Sequence, residues 1–256
     1  MSMAAQRVRD YLVPSLGTIE LSCLCPDDLR AYRLSLEARE LAPRTVRHLL
    51  ADARSLVNWA VEGGMICRSP FPRRVMPRIQ ESPPDRLNDR ELEAVLSIGE
   101  PHAFIVRLAL ATGLRWGELV RARSADVSHG MIVVHRTKST RVRRVPLNPS
   151  IEAEIALRGD RPLVPYVECA NGSFNKLVRR RSGVGRFHVH QLRHTFACRW
   201  IESGGSLPAL QQVLGHQSVT TTQQYARLSD EMVRREAERI HETTTRWRPL
   251  ARTSSD

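Results

Sequence analysis

Lysine is almost missing from this chain: among 39 Lys plus Arg residues, only Lys138 and Lys176 are lysines. Nearly all positive charge is therefore guanidinium, which stays protonated and offers phosphate or carboxylate a planar fork. The five cysteines (Cys23, Cys25, Cys67, Cys169 and Cys198) are odd in number and follow no repeated metal-type spacing. That pattern argues against a disulfide framework and for a reducing compartment. No apolar run is long enough to cross a bilayer, and the N-terminus lacks the charged-then-apolar pattern of a signal peptide. The expectation is a soluble cytoplasmic protein with no membrane partner. There is no glycine loop ending in Gly-Lys-Ser/Thr, the usual cradle for nucleotide phosphates. Internal repeats and low-complexity tracts are also absent.

What is present suits a folded protein: 256 residues, 41% of them hydrophobic, are more naturally two modest domains than one. The 27 acidic residues leave a formal charge of +12, a balance that favours a polyanionic partner. The base composition of the source genome accounts for the arginine bias equally well.

From Pro43 to Val61, the residues Val46, Leu49, Leu50, Ala53, Val57, Ala60 and Val61 recur at helical spacing, with Gly63-Gly64 as the stop. The opposite face carries Arg47, His48, Arg54 and Asn58. Between Phe71 and Pro84 the prolines Pro72, Pro77, Pro83 and Pro84 interrupt any apolar period, which places a linker there. Further helices are expected from Asn88-Asp89 through Leu96, and from Ala103 to Thr112 with a stop at Gly113. The runs 131–135 and 142–147 read as a hairpin with Lys138 at its tip. Helices then return over about 151–157, 190–202, 207–214, 221–228 and 230–243. The expected fold is mainly α with a small antiparallel β-sheet, in two domains, 1–80 and 85–256.

Three segments carry candidate chemistry. His190 and Arg193 lie three residues apart and share a helix face. His190, His194 and Cys198 are spaced by fours, as in helical zinc sites, but Gln191 stands where such a protease needs a glutamate base. In Leu214-Gly215-His216, glycine ends one helix, and Thr220-Thr221-Thr222 starts the next, which carries Tyr225. In Gly113-Leu114-Arg115-Trp116-Gly117-Glu118-Leu119, Arg115 is pinned in a tight turn with Glu118 close enough to orient it.

These segments, with Thr137-Lys138 and in this order, resemble the active-site set of the tyrosine recombinase (phage integrase) family. The resemblance extends over about 88–228, and the 45–61 helix is similar to the family's core-binding domain. It implies a two-domain DNA clamp, a helical core-binding domain followed by a DNA breaking-rejoining domain. The implied activity is site-specific cleavage and rejoining of duplex DNA through a 3′-phosphotyrosine. Arg115, Lys138, His190, Arg193, His216 and Tyr225 are the implied catalytic set, with Glu118 in support. Two guanidinium forks can hold both non-bridging oxygens of a phosphate, and a lysine can protonate a leaving 5′-oxygen where an arginine cannot. His190 is expected to assist the phenol.

Because transesterification conserves the phosphoester bond, neither a cofactor nor a metal is required. The implied partners are double-stranded DNA, three further copies in a homotetramer and possible accessory DNA-bending proteins, which would associate the protein with the nucleoid. Backbone contacts are expected from Arg44, Arg47, Arg141, Arg143, Arg179, Arg180 and Arg181. A helix over 229–246 either docks in trans on a neighbour or packs on its own domain. The chain departs from the family pattern at Arg227, often histidine, and at Trp116, commonly aliphatic, and it shows no recognisable extra arm-binding module. Three alternatives stand beside this reading: a non-cleaving DNA-binding protein of the same fold, a topoisomerase, and a metal hydrolase built on His190 and His194.

Overall fold

A computed structural model describes residues 3–79, 83–135, 142–159, 161–216, 218–226 and 238. The chain divides into two compact units, Met1–Ser82 and Pro83–Asp256. The first opens with α1 (Met3–Arg7), a π-helical turn (Val8–Leu12) and α2 (Val13–Leu16), followed by α3 (Pro26–Glu37) and α4 (Pro43–Glu62). The apolar stripe on α4 is the one its spacing predicts: Val46, Leu49, Leu50, Ala53, Val57 and Ala60 are buried. Against it, α3 contributes Tyr32 and Leu36, four residues apart along one face.

α3 lies in a region to which the sequence reading assigns no element, though Pro26 at its first turn and Asp27 and Asp28 beside it are ordinary helix-start signals. Arg44 and Arg47 are exposed on α4. The proline-rich segment is not an open linker throughout. Val75 is buried in the core of this unit, Phe71 and Met76 pack against that core, and Arg33 Nη1 donates to the Val75 carbonyl at 3.2 Å. The division between units falls after these contacts, because burying those apolar side chains outweighs the irregular backbone that the prolines impose.

The second unit contains α5 (Asp89–Leu96), α6 (His102–Thr112), α7 (Trp116–Leu119), strands β1 (Val127–Ser128), β2 (Met131–Val134) and β3 (Arg143–Pro146), then α8 (Pro149–Ala156), α9 (Asn171–Ser182), α10 (His190–Glu202), α11 (Leu207–Leu214) and α12 (Val219–Ala226). α5 starts as expected: Asn88 accepts from Glu91 N, and Glu91 accepts from Asn88 N, each at 2.9 Å. The sheet is antiparallel in the order β1-β2-β3, with Ile132 opposite Val145. β1 was not expected; at two residues it is too short to show alternation. The hairpin tip with Lys138 and Arg141 lies outside the described residues. So do Arg227 and, Glu238 excepted, the expected helices beyond 226.

α9 is also additional. Its apolar anchors are few, Phe174 and Val178 being the buried ones, and the run Arg179-Arg180-Arg181 lies in its last turn. Among the described residues no helix is long and apolar enough to cross a membrane.

α6 and α10 pack together at the centre of this unit. α6 ends at Gly113, whose φ of 62° is left-handed. A Cβ there would lie 2.4 Å from Phe196 Cδ1 and 3.0 Å from Leu214 Cδ2. Gly113→Ala is therefore expected to add this clash to the left-handed backbone cost of about 1–3 kcal/mol, lowering the thermal midpoint clearly in a calorimetric scan.

Candidate active site

The start of α10 is fixed from two sides. Gln191 is fully buried; its Nε2 donates to both oxygens of Asp85 at 3.0 Å, and its Oε1 accepts from His188 N at 2.9 Å. The residue that breaks the zinc-protease pattern is thus a structural anchor. One residue further along the helix than Leu192, Arg193 is only 2% exposed, and its guanidinium donates to the carbonyls of Gly113 at 2.7 Å and Leu214 at 2.8 Å. Those carbonyls are available because α6 and α11 both end there in left-handed glycines, Gly113 and Gly215.

Arg115 reaches the same place from the other side. Its Nη1 donates to the Leu214 carbonyl and its Nη2 to the Gly215 carbonyl, each at 3.4 Å. The two guanidiniums therefore share the Leu214 oxygen. Glu118, on α7, stands behind them. It accepts from Arg115 N at 2.8 Å and Arg115 Nη1 at 3.2 Å, and from Arg143 Nη1 and Nη2 at 2.9 and 2.7 Å. Burial alone would raise the Glu118 carboxyl, but hydrogen bonds and charge from Arg143, aided by Arg115, outweigh it and hold the group below its ordinary range.

Arg143 also donates through Nε to the Val213 carbonyl at 2.8 Å, and its side chain is largely buried. Arg143, one of the arginines expected to contact the DNA backbone, here places its fork on Glu118 and on the end of α11. Of the other arginines proposed for that task, Arg179, Arg180 and Arg181 are all exposed, with Arg179 donating to the Phe187 carbonyl and Arg181 to the Ile98 carbonyl.

His216 follows Gly215. Its Nε2 lies 2.9 Å from Arg193 Nη2, and its Nδ1 lies 2.8 Å from Thr222 Oγ1. A guanidinium only donates, so Nε2 is the acceptor and the ring proton sits on Nδ1, donated to the threonine. Thr222 is fully buried, and α12 already begins at Val219, so the threonine expected to start the helix lies within it and holds His216 instead. Tyr225, one turn on, is 1% exposed among Ala197, Cys198, Ile201, Leu210 and Leu214. Its ring stacks on that of His216 at 6.4 Å with a 10° tilt. Its hydroxyl lies 2.9 Å from Nδ1 of His194, the contact that sequence reasoning missed. His190 sits edge-on to His194, with ring centroids 4.8 Å apart.

Desolvation raises the Tyr225 phenol above its ordinary value, against the pull of Arg193 and Arg115, so it rests as the neutral hydroxyl. His190 and His216 are each pushed down to about 4, chiefly by desolvation and then by surrounding cations, among them Arg193 and Arg115. A stability consequence follows. Between the ordinary imidazole value, about 6.5, and about 4, the unfolded chain binds protons that the folded chain refuses. Stability is thus fully present above that window and falls as pH drops through it. Calorimetric scans are expected to show this decline, with a shallower slope in His216→Gln.

Among the described residues no group of three or more His, Cys, Asp or Glu side chains is placed to hold a metal. The site joins Arg115, His190, Arg193, His216 and Tyr225 from four helical elements and their turns; Lys138 lies outside the described residues.

The phage integrase family profile matches residues 166–232. Tyrosine recombinase XerC of Yersinia pestis is 32% identical over 225 residues, covering 78% of this chain and 72% of that protein. XerC of Oceanobacillus iheyensis is 25% identical over 250 residues, covering 86% and 82%. The fold is similar to that of the Tn1549 transposon integrase in complex with transposon right end DNA, with a TM-score of 0.74 at 20% identity over 93% of this chain and 92% of that one. Fold and site together define a tyrosine recombinase. Within that class, the chain belongs to the phage integrase family.

Proposed function

We propose that this protein cleaves and rejoins duplex DNA at specific sites through a 3′-phosphotyrosine on Tyr225. The observation that carries the reading is the convergence of Arg115 and Arg193 on one carbonyl, Leu214 O, with His216 bonded to Arg193 and stacked on the Tyr225 ring. Cations so placed suit a phosphodiester whose charge grows in the pentavalent transition state. Tyr225 Oη attacks phosphorus, the bond to the 5′-oxygen breaks, and Lys138 supplies the proton that this oxygen takes. Rejoining runs the same steps backwards, with a 5′-hydroxyl as nucleophile, so bond energy is conserved and neither a nucleotide nor a metal is consumed.

The first unit, with Arg44 and Arg47 exposed on α4, adds sequence-independent backbone contacts, joined in the second by Arg180. Exchange of strands between two duplexes requires four such sites, which makes the working form a homotetramer on DNA.

A nicked duplex drawn from DNA flanking the gene tests the reading, because loss of the short cleaved fragment traps the intermediate. The expected result is an SDS-stable, protease-sensitive adduct at the 3′-phosphate, formed with a chelator present. A gel shift without adduct would overturn it.

A further inference from the structure

We propose that His194 is a catalytic residue: its Nδ1 takes the phenolic proton of Tyr225 as Oη bonds to phosphorus, and returns it when the strand is rejoined. The inference rests on the phosphotyrosine reading and assigns a step which that reading leaves open. In the balanced step, the Oη–H bond breaks as the Oη–P bond forms, and neutral His194 becomes imidazolium. The P–O5′ bond breaks, and the 5′-oxygen takes its own proton from Lys138. In reverse, a 5′-hydroxyl attacks phosphorus and the imidazolium reprotonates the departing phenolate.

Two imidazoles, His194 and His216, lie against Tyr225, a third, His190, lies against His194, and the geometry separates them. His216 is closest to coplanar with the phenol, but both its nitrogens are engaged, by Arg193 and by Thr222. His190, the residue first expected to assist the phenol, meets the edge of His194. His194 Nδ1 lies 2.9 Å from Oη, within the range a general base needs. It sits directly after Arg193 on α10, so the group that fixes the phosphate site and the group that faces the nucleophile share one rigid backbone.

The charged and titratable groups around His194 are His190 and Arg193 on α10, His188 and Asp85 at the start of that helix, and Tyr225 from α12. Desolvation first, then the charges of His188 and Arg193, hold the imidazole below its ordinary value against the opposing pull of Asp85. It is therefore neutral at physiological pH, as a proton acceptor must be. Burial likewise keeps the proton on Tyr225 until a phosphate arrives.

The test uses the full chain on the nicked suicide duplex, and on the same duplex with sulfur in place of the bridging 5′-oxygen. A thiolate leaves without a proton, so this substrate removes the need for Lys138 but not the need to deprotonate Tyr225. Single-turnover adduct formation is expected to slow on the order of 10²-fold in both His194→Ala and His194→Asn, on both substrates, with DNA affinity unchanged. The fall in wild-type rate at acid pH should vanish with the imidazole.

Asparagine preserves a polar contact but takes up no proton, so near-wild-type rates in His194→Asn would reduce the residue to positioning and overturn the proposal. Rescue of the His194 variants by the sulfur substrate would overturn it too. In the protein without DNA, nitrogen NMR should find His194 protonated on Nε2 and not on Nδ1; the opposite tautomer counts against the proposal. Wild-type chain that forms no adduct, or Tyr225→Phe that does, would instead sink the phosphotyrosine reading itself.

Discussion

Tyr225→Phe is expected to abolish covalent adduct formation completely while leaving the fold nearly intact. The two effects separate because the substitution deletes a single oxygen. The ring remains among Ala197, Cys198, Ile201, Leu210 and Leu214, where a phenylalanine fits the same space. The loss is one hydrogen bond to His194 Nδ1, worth about 1 kcal/mol, or roughly 2–4 °C in the thermal midpoint for a unit of this size. The chemical loss has no such limit, because Arg115, Arg193 and His216 bear nitrogen donors and acceptors with no oxygen to form the phosphoester. Denaturing gels on the nicked duplex, run beside calorimetry of the same preparation, check both halves. Adduct surviving in this variant would move the nucleophile elsewhere.

Glu118→Ala should produce the largest loss of stability in the second unit. Its carboxylate is 1% exposed and serves four N–H donors, one from the Arg115 backbone and three from the Arg115 and Arg143 guanidiniums. Removing it leaves Arg143 buried without a counter-charge and places Arg115, Arg143 and Arg193 in mutual repulsion. Breaking a buried pair in this way costs about 3–5 kcal/mol, a midpoint shift of roughly 10 °C. Catalysis should fall as well, since Arg115 loses the group that aims it. Glu118→Gln keeps the shape and removes the charge, so it should fall between the two.

The same carboxylate makes stability depend on acid. Its folded value lies below the unfolded one, so its contribution holds above the ordinary carboxylate range and is lost as pH falls through the depressed value. Calorimetry across that range should show a smaller acid-side decline in Glu118→Gln than in wild type.

Legibility in the chain differs by element. α4, α10 and α11 follow from apolar spacing with clear stops, because such signals act within one or two helical turns. α3 and α9 escaped: each has only two or three buried anchors amid charged residues, and their helicity is completed by packing on neighbours that a local reading cannot see. The Phe71–Pro84 segment contains the division between the units, but the prolines that mark it do not reveal that Val75 is held by the core of the first unit. Arg143 was expected to contact the DNA backbone, and β3 alternation does not reveal that its guanidinium bonds to Glu118, 25 residues earlier.

Arg115, Lys138, the run from His190 to His194, the glycine-ended helix before His216, and Tyr225, met in that order, carried the resemblance to the tyrosine recombinases, and that resemblance implied the class of reaction. Which histidine faces the phenol, which tautomer His216 adopts and which arginine is a clasp were decided only when α6, α10, α11 and α12 packed together. Those outcomes depend on contacts across 20 to 100 residues, and on burial that strips water from each group. Neither quantity exists until the chain is folded.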